Sequence, residues 1–337
     1  MSARESIIPV FVPHLGCPHN CVFCNQRRIS GQQKPATAET VRTAIEEADR
    51  ILPGGQRRQL AFYGGSFTAI PATHQESLLS AAKEYLDRGV IHSVRLSTRP
   101  DAINDAVLDR LEHFGVETVE LGAQSLDDAV LASSGRGHTA QDVVNASKLI
   151  KARGFRLILQ MMTGLPGDSA EKDIRTAEKI IALAPDGVRI YPTVIVKDTE
   201  LFDLWRAGAY REHSVEDAVE TCAKLVPLFE KAGIPIIRLG LNPTDDLSGG
   251  DAVGGAYHPA LGELVRSRIL LNEARELLRG VRPGSRVTLE VGRGKVSQMT
   301  GQHRCNIEAL CNELRLAELK IKEGSEQNTQ LRILLCE

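Results

Sequence analysis

From Ile7 to about Leu239, short apolar runs alternate with longer stretches in which apolar residues recur at three- and four-residue steps. This is the pattern of buried strands joined by amphipathic helices. Strands are expected at 7–12, 59–63, 93–97, 118–122, 156–161, 187–191 and 234–239, and helices at 37–52, 74–88, 105–114, 140–153 and 171–183. Glycine and proline mark many of the stops, as at Pro53-Gly54-Gly55, Gly89, Gly115 and Gly154. Repeated strand–helix units predict an α/β fold, a partial or complete TIM-type (β/α) barrel with its site at the C-terminal strand ends. An open doubly wound sheet is the competing architecture. Residues 240–259 are rich in Gly and Asp and lack periodicity, and a Leu- and Arg-rich helix follows to about Arg279. The remainder reads strand 286–291, helix 295–299, helix 306–314, strand 317–322 and strand 330–335, a small C-terminal α+β domain. The expected division is a barrel domain over 1–240, a connecting region over 241–280 and the small domain over 281–337.

Composition adds little to this picture. With 337 residues, 42% hydrophobic and 25% charged, the chain has the makeup of a globular protein with a large core. The net charge of −2 argues against a single strongly charged partner. It is uneven, however: from Arg279 onward the balance is +3, against −5 before it. That asymmetry permits nucleic-acid contact at the C-terminal end. No apolar run reaches the length of a membrane span and no signal-peptide pattern opens the chain, so a cytoplasmic location without membrane contact is expected.

Chemistry concentrates in three of the seven cysteines. Cys17, Cys21 and Cys24 are spaced C-x3-C-x2-C just after the first strand. Thiolates so close select zinc or an iron–sulfur cluster. A structural zinc site is closed by four protein ligands, and no second Cys or His pair of such spacing occurs. A [4Fe–4S] cluster usually takes four cysteines, so three leave one iron open. The other four, Cys222, Cys305, Cys311 and Cys336, are expected to be ordinary buried residues. Polar or glycine-rich segments follow successive strands, including Gly64-Gly65-Ser66 after the second, where missing side chains let a ligand approach the backbone. No Ser-His-Asp arrangement is visible.

The cysteine spacing, with Phe23 directly before Cys24, resembles the signature of the radical S-adenosylmethionine (SAM) superfamily. Tyr63-Gly-Gly-Ser-Phe67, Ser97-Thr-Arg-Pro-Asp101, Glu120-Leu-Gly-Ala-Gln-Ser125, Arg136-Gly-His-Thr139, Met161-Met-Thr-Gly-Leu-Pro166 and Arg189-Ile-Tyr-Pro-Thr193 resemble, in order, the radical SAM domain of the Elongator catalytic subunit. The cysteine spacing is tighter than in eukaryotic Elongator. The resemblance implies two cofactors, a [4Fe–4S] cluster on Cys17, Cys21 and Cys24, and SAM. Gly64, Gly65 and Ser66 would receive the methionyl amino group, Gln124 the ribose or carboxylate, and Arg136 the carboxylate through its planar bidentate fork. Gln160 stands where related coproporphyrinogen dehydrogenases have an aspartate on the ribose. Met162, Leu165 and Tyr191 would flank the adenine, although residues of these types are more often plain core. His14, His19 and His138 are expected to pack or hydrogen-bond near the cluster without ligating iron. The implied reaction is reductive cleavage of SAM to a 5′-deoxyadenosyl radical, fed by a one-electron donor such as a flavodoxin or ferredoxin and acting on a tRNA base. A small-molecule substrate and a non-catalytic RNA-binding iron–sulfur protein are the alternatives.

Nothing after Arg279 resembles the acetyltransferase domain in which the Elongator subunit ends. The order β-α-α-β-β, with Gly301-Gln-His-Arg304 between the helices, resembles instead a minimal KH module, whose GXXG loop clamps nucleotides. Arg304 takes the place of the second glycine. The resemblance implies Lys295, His303 and Arg304 as phosphate contacts, and a small cap on the barrel is the other reading.

Overall fold

The apolar runs form strands and the periodic stretches form helices in a computed structural model that describes residues 5–12, 21–25, 35–52, 56–241, 247–325 and 330–337. In chain order the larger sheet is built from β1 (Glu5–Val12), β2 (Arg57–Gly64), β3 (Ser93–Thr98), β4 (Val116–Gln124), β5 (Arg156–Thr163), β6 (Gly187–Pro192) and β8 (Ile236–Leu239). All seven are parallel and lie side by side in sequence order. A doubly wound sheet reverses its strand order at a switch point; here the order never reverses, which leaves the barrel-type reading. Among the described residues β1 and β8 are each paired on one side only, so the barrel is partial.

Helices fill the connections: α1 (Ala38–Ile51), α2 (Ala72–Asp87), α3 (Asp105–His113), α4 (Asp128–Ser133), α5 (Ala140–Ala152), α6 (Ala170–Ala182), α7 (Glu200–Arg206) and α8 (Val215–Lys231). Their starts are set locally, because side chains satisfy the first-turn amides that a helix cannot. Thr37 with Thr40, and Thr139 with Asp142, form reciprocal capping boxes, while Asn104, Ser169 and Thr199 cap α3, α6 and α7.

Strand register sorts the side chains by face. Leu60, Phe62, Leu96, Val119, Leu121, Leu157, Leu159, Val188 and Ile190 alternate onto one face and are fully buried. The opposite face carries Gln59, Arg95, Glu120, Gln160 and Arg189, which are polar yet mostly buried. The expected aperiodic stretch after Gly240 is partly ordered: β9 (Ala252–Gly255) pairs antiparallel with β7 (Val194–Val196) in a two-stranded ribbon. Strands of three and four residues, the latter with two glycines, leave too little alternation to be read from sequence.

Two compact units divide the chain. One comprises residues 1–214 and 228–257; the other comprises 215–227 and 258–337, so α8 is shared between them. The second unit contains α9 (Leu261–Leu277), β10 (Arg286–Val291), α10 (Val296–Thr300), α11 (Cys305–Leu314), β11 (Glu318–Glu323) and β12 (Arg332–Cys336). Its sheet is ordered β11-β10-β12, with β11 parallel and β12 antiparallel to the central strand. Leu270, Leu271, Ala274, Val287, Leu289, Met299 and Leu310 form its core. The expected burial of four cysteines holds only for Cys222; Cys305, at the start of α11, and Cys336, at the end of β12, are exposed, and Cys311 is half-buried against the core of the second unit. Among the described residues no helix is long and apolar enough to cross a membrane.

Candidate active site

Cys17, His14 and His19 lie outside the described residues. Cys21 and Cys24 are half-buried and sit on one tight turn, closed by the Cys24 amide donating to the Cys21 carbonyl at 3.0 Å. The turn is tied on both sides. The Val22 amide donates to Ser134 O (3.1 Å), the Val22 carbonyl accepts from the Leu201 amide (2.7 Å), and Asn25 Nδ2 donates to Asp198 O (3.3 Å). Apolar side chains seat it: Val22 is buried with Ile195, Leu201 and Tyr210, and Phe23, like Tyr191, packs against the cluster of Val130, Met162 and Leu165. The three residues expected around an adenine thus form one cluster, with the residue preceding Cys24 among them.

Arg136 joins the cysteine turn to the sheet. Its guanidinium donates to Cys21 Sγ at 3.3 Å and to Gly122 O at 2.6 Å. The Arg136 carbonyl accepts from Arg99 Nη2 (2.7 Å), and Arg99 is held in turn by Asp101 (2.5 Å). Arg136 is 8% exposed, and its Nε is buried without a partner. Beneath it the end of β4 is irregular, with a register shift between Gly122 and Gln124 and a positive φ of 65° at Gln124. Backbone strain at a non-glycine residue costs about 1–3 kcal/mol and concentrates at functional positions. Gln124 Oε1 lies 3.5 Å from Gln160 Nε2. A Cβ on Gly122 would stand 3.0 Å from Gln124 Nε2 and 3.3 Å from Arg136 Nη2, so a side chain there would crowd both.

The Gly64-Gly65-Ser66 segment ends β2 beside this cradle. Gly64 has φ 101°, and the Gly65 amide donates to Val12 O at 2.9 Å. The Ser66 hydroxyl is turned to β3: it lies 3.1 Å from Thr98 Oγ1 and accepts from the Arg99 amide at 3.1 Å. His138 is buried and donates from Nε2 to Ala123 O (3.2 Å). Burial, then the Arg136 charge, pushes its imidazole down to about 4, so it is neutral at physiological pH.

A charged network that motif reading gave no role lies on the same sheet face. Glu120, 2% exposed, accepts from Arg95 Nη1 (2.8 Å) and Arg189 Nη2 (3.0 Å). Arg189 Nη2 also donates to Tyr63 Oη (3.0 Å), Arg189 Nη1 donates to Tyr191 Oη (3.4 Å), and Arg95 binds Gln59. Burial pulls the Arg189 guanidinium down, but Glu120, Tyr191 and Tyr63 together outweigh that and raise it, so it stays charged. Burial raises both Tyr63 and Tyr191, so the phenols stay protonated. The sequence signal was available: charges at alternate positions inside strands whose other positions are apolar.

Lys295, His303 and Arg304 belong to the second unit. Lys295 precedes α10, His303 and Arg304 lie between α10 and α11, and all three are exposed.

The donor set suits a soft metal cluster and a zwitterionic ligand: two thiols on one turn, a cationic fork with an unpartnered nitrogen beside them, and strand ends without side chains. Comparison with known proteins gives the same class. Residues 11–180 match the Radical SAM superfamily and residues 185–270 the Radical_SAM C-terminal domain. The chain belongs to the radical SAM superfamily, enzymes whose cofactors are a [4Fe–4S] cluster and SAM. Within it, the chain is similar to the tRNA uridine(34) acetyltransferase of Methanocaldococcus infernus, 24% identical over 77% of this chain and 55% of that one. It is also similar to human Elongator complex protein 3, 28% identical over 56% and 38% of the respective chains. The chain spans roughly half or less of the length of these curated relatives. The solved archaeal Elp3 of M. infernus superposes with a TM-score of 0.63 at 22% identity, covering 88% of this chain and 68% of that one. The coproporphyrinogen III oxidase HemN of Escherichia coli gives 0.51 at 17%, covering 68% and 53%. At those identities the likeness is one of fold.

Proposed function

We propose that this chain reductively cleaves SAM and directs the resulting radical to a tRNA base. The observation that carries the proposal is Arg136, which reaches from the loop between α4 and α5 to both Cys21 and the end of β4. One guanidinium thereby links the metal-binding turn to the glycine cradle. Cys17, Cys21 and Cys24 would hold the cluster, which when loaded and reduced supplies one electron to SAM, giving methionine and a hydrogen-abstracting 5′-deoxyadenosyl radical; the electron comes from a flavodoxin- or ferredoxin-type donor.

The chain's own residues bind and orient. The Arg136 fork pairs with the SAM carboxylate, and Gly64 and Gly65 offer backbone to the amino group. Gln124 and Gln160 hydrogen-bond the ribose, while Met162, Leu165, Tyr191 and Phe23 enclose the adenine and keep water from the radical. The hydroxyl of Ser66 supports Arg99 and Thr98, so its own share in the amino-group site is its backbone. The tRNA substrate is supported by the names of the relatives, tRNA uridine(34) acetyltransferase and Elongator complex protein 3.

The test is anaerobic reconstitution with iron, sulfide, reductant and SAM, followed by quantification of 5′-deoxyadenosine with and without bulk tRNA. Stimulation by tRNA but not by small metabolites is expected. Stimulation by a small metabolite alone would overturn the substrate assignment.

A further inference from the structure

The second unit contains a groove of about 650 Å³ that the radical chemistry does not use. Val296 and Ile307 form one wall, and the edge strand β11 forms the other with Leu319 and Ile321. Arg304, Lys320 and Lys322 line it as well and are exposed. Glu318 is the one acidic lining residue, and Lys320 pairs with it at 3.0 Å. The groove is therefore apolar inside and cationic at its margins.

We propose that this groove binds a short single-stranded stretch of RNA, with phosphates along Arg304, Lys320 and Lys322 and bases on the aliphatic walls. The choice of RNA over DNA rests on the tRNA reading above. Three features select this occupant. β11 is an outer strand with no neighbour beyond it among the described residues, and its length of about 20 Å, at ~3.3 Å per residue, suits about four nucleotides. A protein strand could add to the same edge, but lysines at alternate positions of β11 oppose strand addition and attract phosphate. A duplex would keep its bases from the apolar walls, leaving them wet.

The loop that carries Arg304 is built to stay in place. Gly301 adopts φ 76° and ψ 164°, which is open to glycine alone, and a Cβ there would meet Cys305 Sγ at 2.6 Å and Asn306 N at 3.0 Å. His303 and Arg304 follow at φ 50° and 67°. Asn306 pins the loop from below, donating to Ser267 Oγ (2.9 Å) and Gln298 O (3.2 Å). Arg304 thus occupies the place of a second glycine in the backbone shape such a glycine would take.

No Phe, Tyr or Trp follows Tyr257, and the aromatic rings in this unit are the imidazoles of His258 and His303, so stacking is limited and affinity must lean on phosphate contacts. Three such contacts to a single strand give a log–log salt slope of about −2.

The experiment is fluorescence anisotropy of the full chain with a labelled ten-nucleotide single-stranded RNA, the same strand annealed to its complement, and the triple variant Arg304→Ala, Lys320→Ala, Lys322→Ala. All three side chains are exposed, so the variant should keep its melting temperature. Expected are preference for the single strand, a slope near −2 and a loss of about tenfold in the variant that flattens the slope. Equal binding by the variant, or tighter binding of the duplex, overturns the proposal. Parallel SAM-cleavage assays separate it from the substrate assignment. RNA binding lost in the variant, without any tRNA stimulation of the wild type, keeps the groove and sinks the substrate. Stimulation by tRNA with an unchanged half-saturating concentration in the variant does the reverse.

Discussion

The Gln124 and Arg136 side chains, proposed above to bind SAM, converge where a Cβ on Gly122 would be. Gly122→Ala brings a methyl within 3.0 Å of Gln124 Nε2 and 3.3 Å of Arg136 Nη2. Both side chains must give way, and misplacement of binding groups by even a fraction of an ångström is expensive in catalysis. We expect SAM cleavage to fall by about tenfold or more while thermal unfolding changes little; an unchanged rate would dissociate these residues from the cofactor. His138 supplies a prediction of opposite kind. Its imidazole is neutral in the fold down to about pH 4, whereas the unfolded chain protonates it near 6.5. The unfolded state therefore binds more protons in that window, and stability falls as pH drops from 6.5 toward 4, by up to about 3 kcal/mol at 1.36 kcal/mol per unit. His138→Gln keeps a donor for Ala123 O and should show a shallower decline in urea midpoint over that range.

At the scale of elements, the alternation of apolar runs was enough to locate the seven strands of the large sheet, because the central strands β2 to β6 are largely buried on both faces. What periodicity could not carry was β7 with β9, too short to alternate, and the positive φ at Gln124, set by a shift in strand register. Glu120, Arg95 and Arg189 were visible as residues but not as a network, since their meeting depends on the register of β3, β4 and β6. Removing one member leaves the others charged and buried, which costs about 3–5 kcal/mol; Glu120→Ala should lower the urea midpoint accordingly, and a loss under about 1 kcal/mol would show that water reaches the network.

The loop from β5 into α6 holds a second linked pair. Burial, then the charge of Asp168, pushes the Asp173 carboxyl up to about 10. The fold binds a proton here that the unfolded chain has released above 3.8. Stability from this group is complete below 3.8 and is lost as pH rises toward 10. Asp173→Asn keeps an acceptor and a donor at the same positions, so the variant should be more stable than wild type at pH 8, with the difference widening as pH increases. A variant equally or less stable at pH 8 would contradict the shared proton.

Across the whole molecule, the chemistry and the RNA recognition proposed above fall in separate compact units. The cysteine turn, the glycine strand ends and Arg136 all fall in the first unit, and the cationic groove falls in the second. Spacing alone pointed to the three cysteines, of which Cys21 and Cys24 share one turn, and the strand ends were legible from the glycines that follow them. The groove was not, because its lining is brought together from α10, the turn after it, α11 and the edge strand β11. The most direct test of the central claim is anaerobic 5′-deoxyadenosine formation from SAM and reductant, measured for the reconstituted wild type and the triple variant Cys17→Ala, Cys21→Ala, Cys24→Ala. The wild type should produce 5′-deoxyadenosine and methionine in equal amounts and the variant none above background. Equal yields from the two proteins, or none from an iron-loaded wild type, would contradict it.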